Sequence, residues 1–194
     1  MESRYWKEFL TSTAKELAWK KSPKRLTERR LEIIERDVIL SFFIIRRLIE
    51  SYKVSKRTID YKFEIFSCPY NGRMLRPGNR HWFEKSYNLE PEKIHNKKIM
   101  YIANQFIHSS LFAIVYDETR NWDSFYVVSD YDKKKCIWRV PANQVHDCFK
   151  LVSEDYLGLF SYKYDKAKDD YIIVVGEEQK LEDLKPLKQC KEGS

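Results

Sequence analysis

A long amphipathic helix constrains this chain more than any other feature. From Thr27, whose side chain suits an N-cap, to about Tyr52, the apolar residues recur at helical spacing. The middle of this segment, VILSFFII, is apolar on every side, so we expect neighbouring elements to cover most of it. The pattern predicts the central helix of a small helical lobe, preceded by a first helix over residues 3–20. The residues that form one stripe along the long helix are Leu31, Ile34, Val38, Ser41, Ile45, Leu48 and Tyr52.

Strand patterns occupy much of the remaining chain. Residues 59–66, IDYKFEIF, alternate apolar and polar side chains, which is typical of a strand. Residues 110–117, 124–130 and 136–140 predict three antiparallel strands, because the segments between them are short enough for hairpins. A last hairpin is predicted from YLGLFSYKY and DYIIVVG.

Two prolines mark two further helices, since proline suits the first turn of a helix. Pro91 predicts the start of a helix that ends at His108. Pro141 predicts a helix near residues 142–152, with Val145, Phe149 and Val152 pointing inward.

The order of these elements predicts an α+β fold, with a helical N-terminal half packed on an antiparallel, sheet-rich C-terminal half. Residues 1–108 would form the mainly helical lobe, with its strand near 59–66. Residues 109–176 would form the β meander with its one helix, and residues 177–194 a charged tail. At 194 residues and 43% hydrophobic content, we expect one compact domain.

Composition narrows the class of protein. A net charge of +7 and a pI near 9.1 favour an anionic partner, such as RNA or an acidic protein surface. The N-terminus MESRYWKEFL lacks the apolar stretch of a signal peptide, and the longest apolar runs fall far short of spanning length. We therefore expect a cytoplasmic protein without a membrane partner; a homodimer is an open alternative.

Four scattered cysteines without a CxxC pair indicate neither a zinc cluster nor a disulfide scaffold: Cys68, Cys136, Cys148 and Cys190. The four histidines show no metal-binding spacing, and no glycine-rich nucleotide loop is present. We expect no metal and no cofactor.

A polar stripe interrupts the apolar helix that leads to His108. Tyr101, Asn104, Gln105 and His108 share one face at helical spacing, and Asn104 and His108 are direct neighbours on it. The stripe is a candidate catalytic site. In the structural alternative, His108 ends a core helix and bonds a carbonyl, while Asn104 and Gln105 face solvent.

Asp37 is a third candidate catalytic residue. It lies at the edge of the apolar face of the long helix, where a carboxylate requires a partner. That partner is either His108 or an arginine, with Arg36 nearest in sequence.

The residues ANQFIH, 103–108, resemble the RNxxxH motif of HEPN-type ribonucleases. Asn104 and His108 match the motif, and Ala103 occupies the position of its arginine. The resemblance implies cleavage of RNA by an arginine and a histidine, in an all-helical fold and usually in a site shared by two protomers. Because cleavage builds negative charge on the phosphate, an arginine would have to arrive from elsewhere in the fold or from a partner.

Two basic segments are candidate nucleic-acid surfaces. The first is an irregular loop that carries Arg73, Arg76 and Arg80. The second is a hairpin that interleaves cations with aromatic rings, as phosphate neutralisation and base stacking require. Its residues are Tyr126, Tyr131, Lys133, Lys134, Lys135, Trp138 and Arg139. Solvated loops, edge protection and core packing of Trp138 are the structural alternatives.

Together these patterns favour an intracellular binding module with a degenerate HEPN-like helix, associated with RNA or serving as an accessory in bacterial or phage defence. The alternative is a metal-independent HEPN-type ribonuclease whose arginine comes from another part of the structure.

Overall fold

The computed structural model describes residues 3–18, 27–74, 77–90, 92–118, 121–156, 159–165 and 169–176. Within these ranges the chain is α+β, as predicted. Its helices are α1 (Arg4–Leu17), α2 (Glu28–Glu50), α3 (Lys56–Ile59), α4 (Ile99–Ile107) and α5 (Ala142–Glu154), with a 3-10 helix at Pro77–Lys85. Its strands are β1 (Lys62–Pro69), β2 (Lys93–Lys98), β3 (Ser109–Tyr116), β4 (Trp122–Ser129), β5 (Cys136–Pro141), β6 (Leu159–Asp165) and β7 (Asp170–Gly176).

The long helix α2 begins where its cap was predicted. The side chain of Thr27 accepts a hydrogen bond from the backbone N–H of Arg30 at 3.3 Å. The apolar centre is covered less completely than expected, because Leu40 is 42% exposed and Phe43 is 43% exposed. The elements packed along α2 leave these two side chains at the surface.

One antiparallel sheet of five strands forms the centre of the fold, in the order β2-β1-β5-β4-β3. The predicted meander of β3, β4 and β5 is confirmed. The pairing of β1 with β5 joins strands from both sides of residue 108 in one sheet, so the two predicted lobes share it. The predicted last hairpin is confirmed as the separate sheet β6-β7, and the tail from residue 177 lies outside the described residues.

The helix predicted from Pro91 is wrong over residues 93–98, which form strand β2. This strand pairs with β1 from Lys62 opposite Lys98 to Ser67 opposite Lys93. Its lysines suit the edge of a sheet, where charge discourages pairing with other chains. Only residues 99–107 have helical apolar spacing, and they form α4; Pro91 itself lies outside the described residues.

The core is centred on Phe42 of α2, whose side chain is fully buried. Its ring stacks on Phe106 of α4 with centroids 4.3 Å apart, and lies 5.1 Å from Phe149 of α5 and 6.3 Å from Phe63 of β1. This one side chain therefore joins three helices to the sheet. Within the described part of the chain, none of the helices combines the length and apolarity needed to cross a membrane.

We expect Phe42→Ala to lower the free energy of unfolding by about 3–5 kcal/mol, because it leaves a cavity where four elements meet. Phe43→Ala is the matched control on the exposed side of α2, and we expect it to cost no more than about 1 kcal/mol. Chemical denaturation of both variants measures the difference. Equal losses would contradict the central role of Phe42.

Candidate functional site

His108 lies where helix α4 gives way to strand β3. As the C-cap residue it donates its backbone N–H to the carbonyl of Asn104 at 3.1 Å, and its own carbonyl accepts the N–H of Asp130 at 3.3 Å. The side chains of His108 and Asn104 are both exposed. The end of α4 is thus attached to the turn between β4 and β5, and the imidazole faces solvent beside that turn.

An arginine from another helix reaches the same place. Nη1 of Arg46, in α2, donates to Oδ1 of Asn104 at 3.2 Å, and its Nε donates to Glu50 at 2.8 Å. Ala103, at the motif position of the arginine, is fully buried in the core. The fold therefore supplies from α2 a guanidinium that the motif itself lacks.

A buried carboxylate fixes the β4–β5 turn against α4. Asp132 is only 6% exposed, and it accepts hydrogen bonds from the Tyr101 hydroxyl at 3.0 Å, Gln105 Nε2 at 2.8 Å and Lys135 Nζ at 3.0 Å. Gln105 completes the network, because its Oε1 accepts the N–H of Ser129 at 3.1 Å. Residues of α4 thereby hold the start and the middle of the turn.

The hydrogen bonds at Asp132 decide its charge. Burial alone would raise its pKa, but the bonds from Lys135, Tyr101 and Gln105 outweigh burial and lower the pKa below the ordinary 3.8. Burial, together with the negative charge of Asp132, raises the pKa of the Tyr101 phenol. At neutral pH Tyr101 is therefore protonated and donates to a charged carboxylate.

The turn carries its cations and one aromatic ring at the surface. Tyr131 is 82% exposed, and Nζ of Lys135 lies 3.7 Å from the centroid of its ring. Lys133 pairs with Asp130 at 2.8 Å, and Lys134 is exposed. In the predicted lysine hairpin, Lys133 and Lys135 are thus paired with carboxylates, Lys134 is exposed, and the ammonium group of Lys135 lies close to the exposed ring of Tyr131.

These parts enclose one open groove of about 980 Å³, which we call the α4 groove. The groove brings together two regions that are separate in the sequence. One is the polar stripe that ends at His108, and the other is the β4–β5 turn, residues 130–135, which we call the lysine turn. The groove is lined by Arg46, Tyr101, Asn104, Gln105, Ile107, His108, Ser109, Ser129, Asp130, Tyr131, Asp132 and Lys135.

Several predicted residues lie elsewhere or have other roles. The carboxylate of Asp37 pairs with Arg36 at 2.7 Å, and among the described residues no hydrogen bond or ion pair joins it to His108. Asp37 is therefore not part of the candidate site. This agrees with the alternative in which its carboxylate pairs with an arginine. Arg73 is exposed on its loop, whereas Arg76 and the side chain of Arg80 lie outside the described residues.

Trp138 and Arg139 belong to the structural framework. Trp138 is 5% exposed, so its indole cannot stack on a base while β5 stays in the sheet. Arg139 forms a two-point ion pair with Glu92 at 2.6 and 2.5 Å and lies over the ring of Phe66 at 4.1 Å. We therefore remove both residues from the candidate nucleic-acid surface.

Among the described residues, the cysteines offer no nucleophile near the groove. Burial raises the pKa of the Cys148 thiol well above its ordinary value, and burial with nearby Asp132 raises that of Cys136 to about 11. Among the described residues, no three His, Cys, Asp or Glu side chains gather closely enough to hold a metal ion.

Comparison with known protein families, curated proteins and solved structures found no match to this chain. The likeness to HEPN-type ribonucleases therefore consists of the motif residues alone. The five-stranded sheet also departs from the all-helical fold that this likeness implies.

Sequence reasoning missed two residues that shape the groove, Arg46 and Asp132. Arg46 and Glu50 are four apart on α2, a spacing that is ordinary for a surface ion pair on a helix. Asp132 stands within a charged turn, which is typical of solvated residues. Neither pattern carries a signal that a single sequence could have revealed.

We expect Asp132→Asn to lower the free energy of unfolding at neutral pH by about 2 kcal/mol, because it removes a charged acceptor from a buried network. Since the pKa of Asp132 is lowered in the folded state, its stabilisation is present above about pH 4 and is lost as the pH falls through the folded-state value. The difference from the parent protein should therefore shrink below that pH.

Denaturation curves collected from neutral to acidic pH measure this effect. Asp130→Asn is the matched control in the same turn, since its side chain is 73% exposed. A penalty for Asp132→Asn that stays constant into acid would show that the carboxylate charge contributes nothing.

Proposed function

We propose that this protein binds a single strand of RNA in the α4 groove. The observation that carries the proposal is the convergence of Arg46, His108 and the lysine turn on one open surface. Binding of single strands needs cations for the backbone and an accessible ring for the bases. The lining of the groove includes both, with Arg46 and Lys135 as the cations and Tyr131 as the ring.

The cations of the groove are available to a phosphate even though each has an acidic neighbour. Arg46 pairs with Glu50, and Lys135 pairs with Asp132, but both cations are at least partly exposed. The Arg46–Glu50 pair is exposed on both sides, and exposed ion pairs are weak and exchange readily with solvent. Lys135 keeps its bond to the buried Asp132 and offers the exposed part of its ammonium group. A phosphate that meets the planar guanidinium with two oxygens therefore competes well with a single carboxylate contact.

Tyr131 supplies the stacking platform. Its ring stands at the exposed tip of the turn, and the ammonium of Lys135 against that ring places a cation beside any stacked base. Stacking tolerates every base, so this arrangement fits a strand without a fixed sequence.

The charge and thiols of the chain agree with such a partner. A net charge of +7 attracts polyanions, and the buried free thiols of Cys68 and Cys148 suit a reducing compartment. Both features support the proposal that the protein acts in the cytoplasm.

We expect Arg46→Ala to weaken binding of a fluorescently labelled single-stranded RNA by about tenfold or more, because it removes a bidentate phosphate contact. Tyr131→Ala should weaken binding by about tenfold, because the bases can no longer stack on its ring. Fluorescence anisotropy at fixed salt measures both.

Arg47→Ala and Tyr116→Ala are the matched controls. Arg47 neighbours Arg46 and also approaches Glu50, at 3.7 Å, but it does not line the groove. Tyr116 is an exposed tyrosine at the far end of β3. Equal losses from Arg46→Ala and Arg47→Ala would leave only a diffuse charge effect and would reject the groove.

A metal-independent ribonuclease is the second candidate, and the contact between Arg46 and Asn104 favours it. In this reaction the His108 imidazole takes the proton of a ribose 2′-hydroxyl, and that oxygen attacks the adjacent phosphorus. The bond from phosphorus to the 5′-oxygen breaks, and the leaving oxygen takes a proton from solvent. The products are a 2′,3′-cyclic phosphate and a 5′-hydroxyl, and Arg46 balances the charge on the phosphate oxygens.

We expect homogeneous protein to cut RNA in the presence of a chelator if this second function holds. His108→Ala should reduce the rate by about a hundredfold or more, since it removes the general base. His146→Ala is the control, because His146 pairs with Asp147 on α5, away from the groove. RNA that stays intact, or cutting that survives in His108→Ala, would exclude catalysis at this site.

A further inference from the structure

Two lysines of the edge strand β2 have no acidic partner among the described residues. Lys93 and Lys97 stand four apart on the strand, so their side chains project from the same face, about 13 Å apart. His95 lies between them on that face, where burial and then the positive charges of Lys97 and Lys93 lower its pKa. Because its pKa is lowered, the imidazole stays neutral. The charges of this row, Lys93, His95 and Lys97, are then the two lysine ammonium groups.

Direct contacts connect this row to the α4 groove. Nζ of Lys97 lies 4.9 Å from the ring of Tyr101, whose hydroxyl donates to Asp132, and Asp132 in turn accepts from Lys135. Lys97 and Lys135 also both lie near Cys136, where their charges oppose the rise in the pKa of its thiol. Lys97 therefore adjoins the groove at Tyr101, and strand β2 carries the positive surface from Lys97 along the sheet edge to Lys93, which lies opposite Ser67 of β1.

Protection of the sheet edge would by itself explain lysines on β2. Edge protection would apply equally to every lysine of β2, but in the structure these lysines differ in their partners. Lys98 projects from the opposite face and pairs with Asp60 at 2.9 Å, while Lys93 and Lys97 remain on the groove side without a carboxylate partner among the described residues. The lysines of β2 that lack a carboxylate partner among the described residues, Lys93 and Lys97, thus lie on the face that adjoins the groove.

We infer that a bound RNA strand leaves the α4 groove past Tyr101 and follows the edge of β2, with its phosphates on Lys97 and Lys93. This inference rests on the proposed function and adds to it the course of the strand and the minimum length needed for full affinity. A short oligonucleotide would fill the groove alone, whereas a longer one would also reach the β2 row.

The test compares two single-stranded RNA probes near the ends of the usual range of site sizes, about four and about twelve nucleotides. In the double variant Lys93→Gln/Lys97→Gln we expect binding of the longer probe to fall about tenfold, with no change for the shorter one. The slope of log affinity against log salt should also become shallower by about 0.7 for each phosphate that the variant no longer neutralises. Lys98→Gln is the matched control on the same strand and should change neither quantity.

Each outcome separates the two proposals. If Arg46→Ala weakens both probes while the double variant binds the longer probe normally, the groove is retained and the β2 course is overturned. If neither probe binds the parent protein, the proposed function fails and this inference fails with it. If an acidic polyglutamate peptide displaces the longer probe as effectively as unlabelled RNA of equal charge, the partner assigned to this row is wrong.

Discussion

The stacking of Phe42 on Phe106 is the contact on which the rest of the structure depends. It fixes α4 against α2, while Phe106 also lies 5.7 Å from Phe112 of β3 and 6.4 Å from Phe125 of β4. Helix α4 is therefore held between α2 and the sheet by a continuous run of rings. A helix of only nine residues has little stability of its own, so this packing determines where it lies.

The geometry of the groove follows from that packing. Arg46 comes one helical turn after Phe42 on α2, and with α4 packed against α2 its guanidinium lies 3.2 Å from Oδ1 of Asn104. On the other side of α4, the buried Asp132 fastens the lysine turn to Tyr101 and Gln105. A short helix held on two sides thus positions a guanidinium, an imidazole and a tyrosine ring around one surface.

Much of the framework could be read from periodicity. Capping at Thr27 and the apolar stripe of α2 are local patterns, and the structure has both. The strand predicted over residues 59–66 is present as β1, but it begins at Lys62 because Ile59 ends helix α3, and the three meander strands are present as β3, β4 and β5. Residues 93–98 were misread because a proline upstream and an apolar helix downstream outweighed a short, lysine-rich alternation. Pairing with β1 decided that segment, and such pairing leaves only a weak trace in an edge strand that is mostly polar.

By itself, the sequence determined the α+β class, the long central helix and the presence of a polar stripe around His108, because each depends on neighbours within a few residues. Only the tertiary structure decided which charges meet. It placed Arg46 beside Asn104 and buried Asp132. It paired Asp37 with Arg36 and Arg139 with Glu92, and it left Lys93 and Lys97 without a carboxylate partner among the described residues. The physical reason is that the strength of an ion pair depends on distance and burial in space, which the spacing of charges along a chain does not encode.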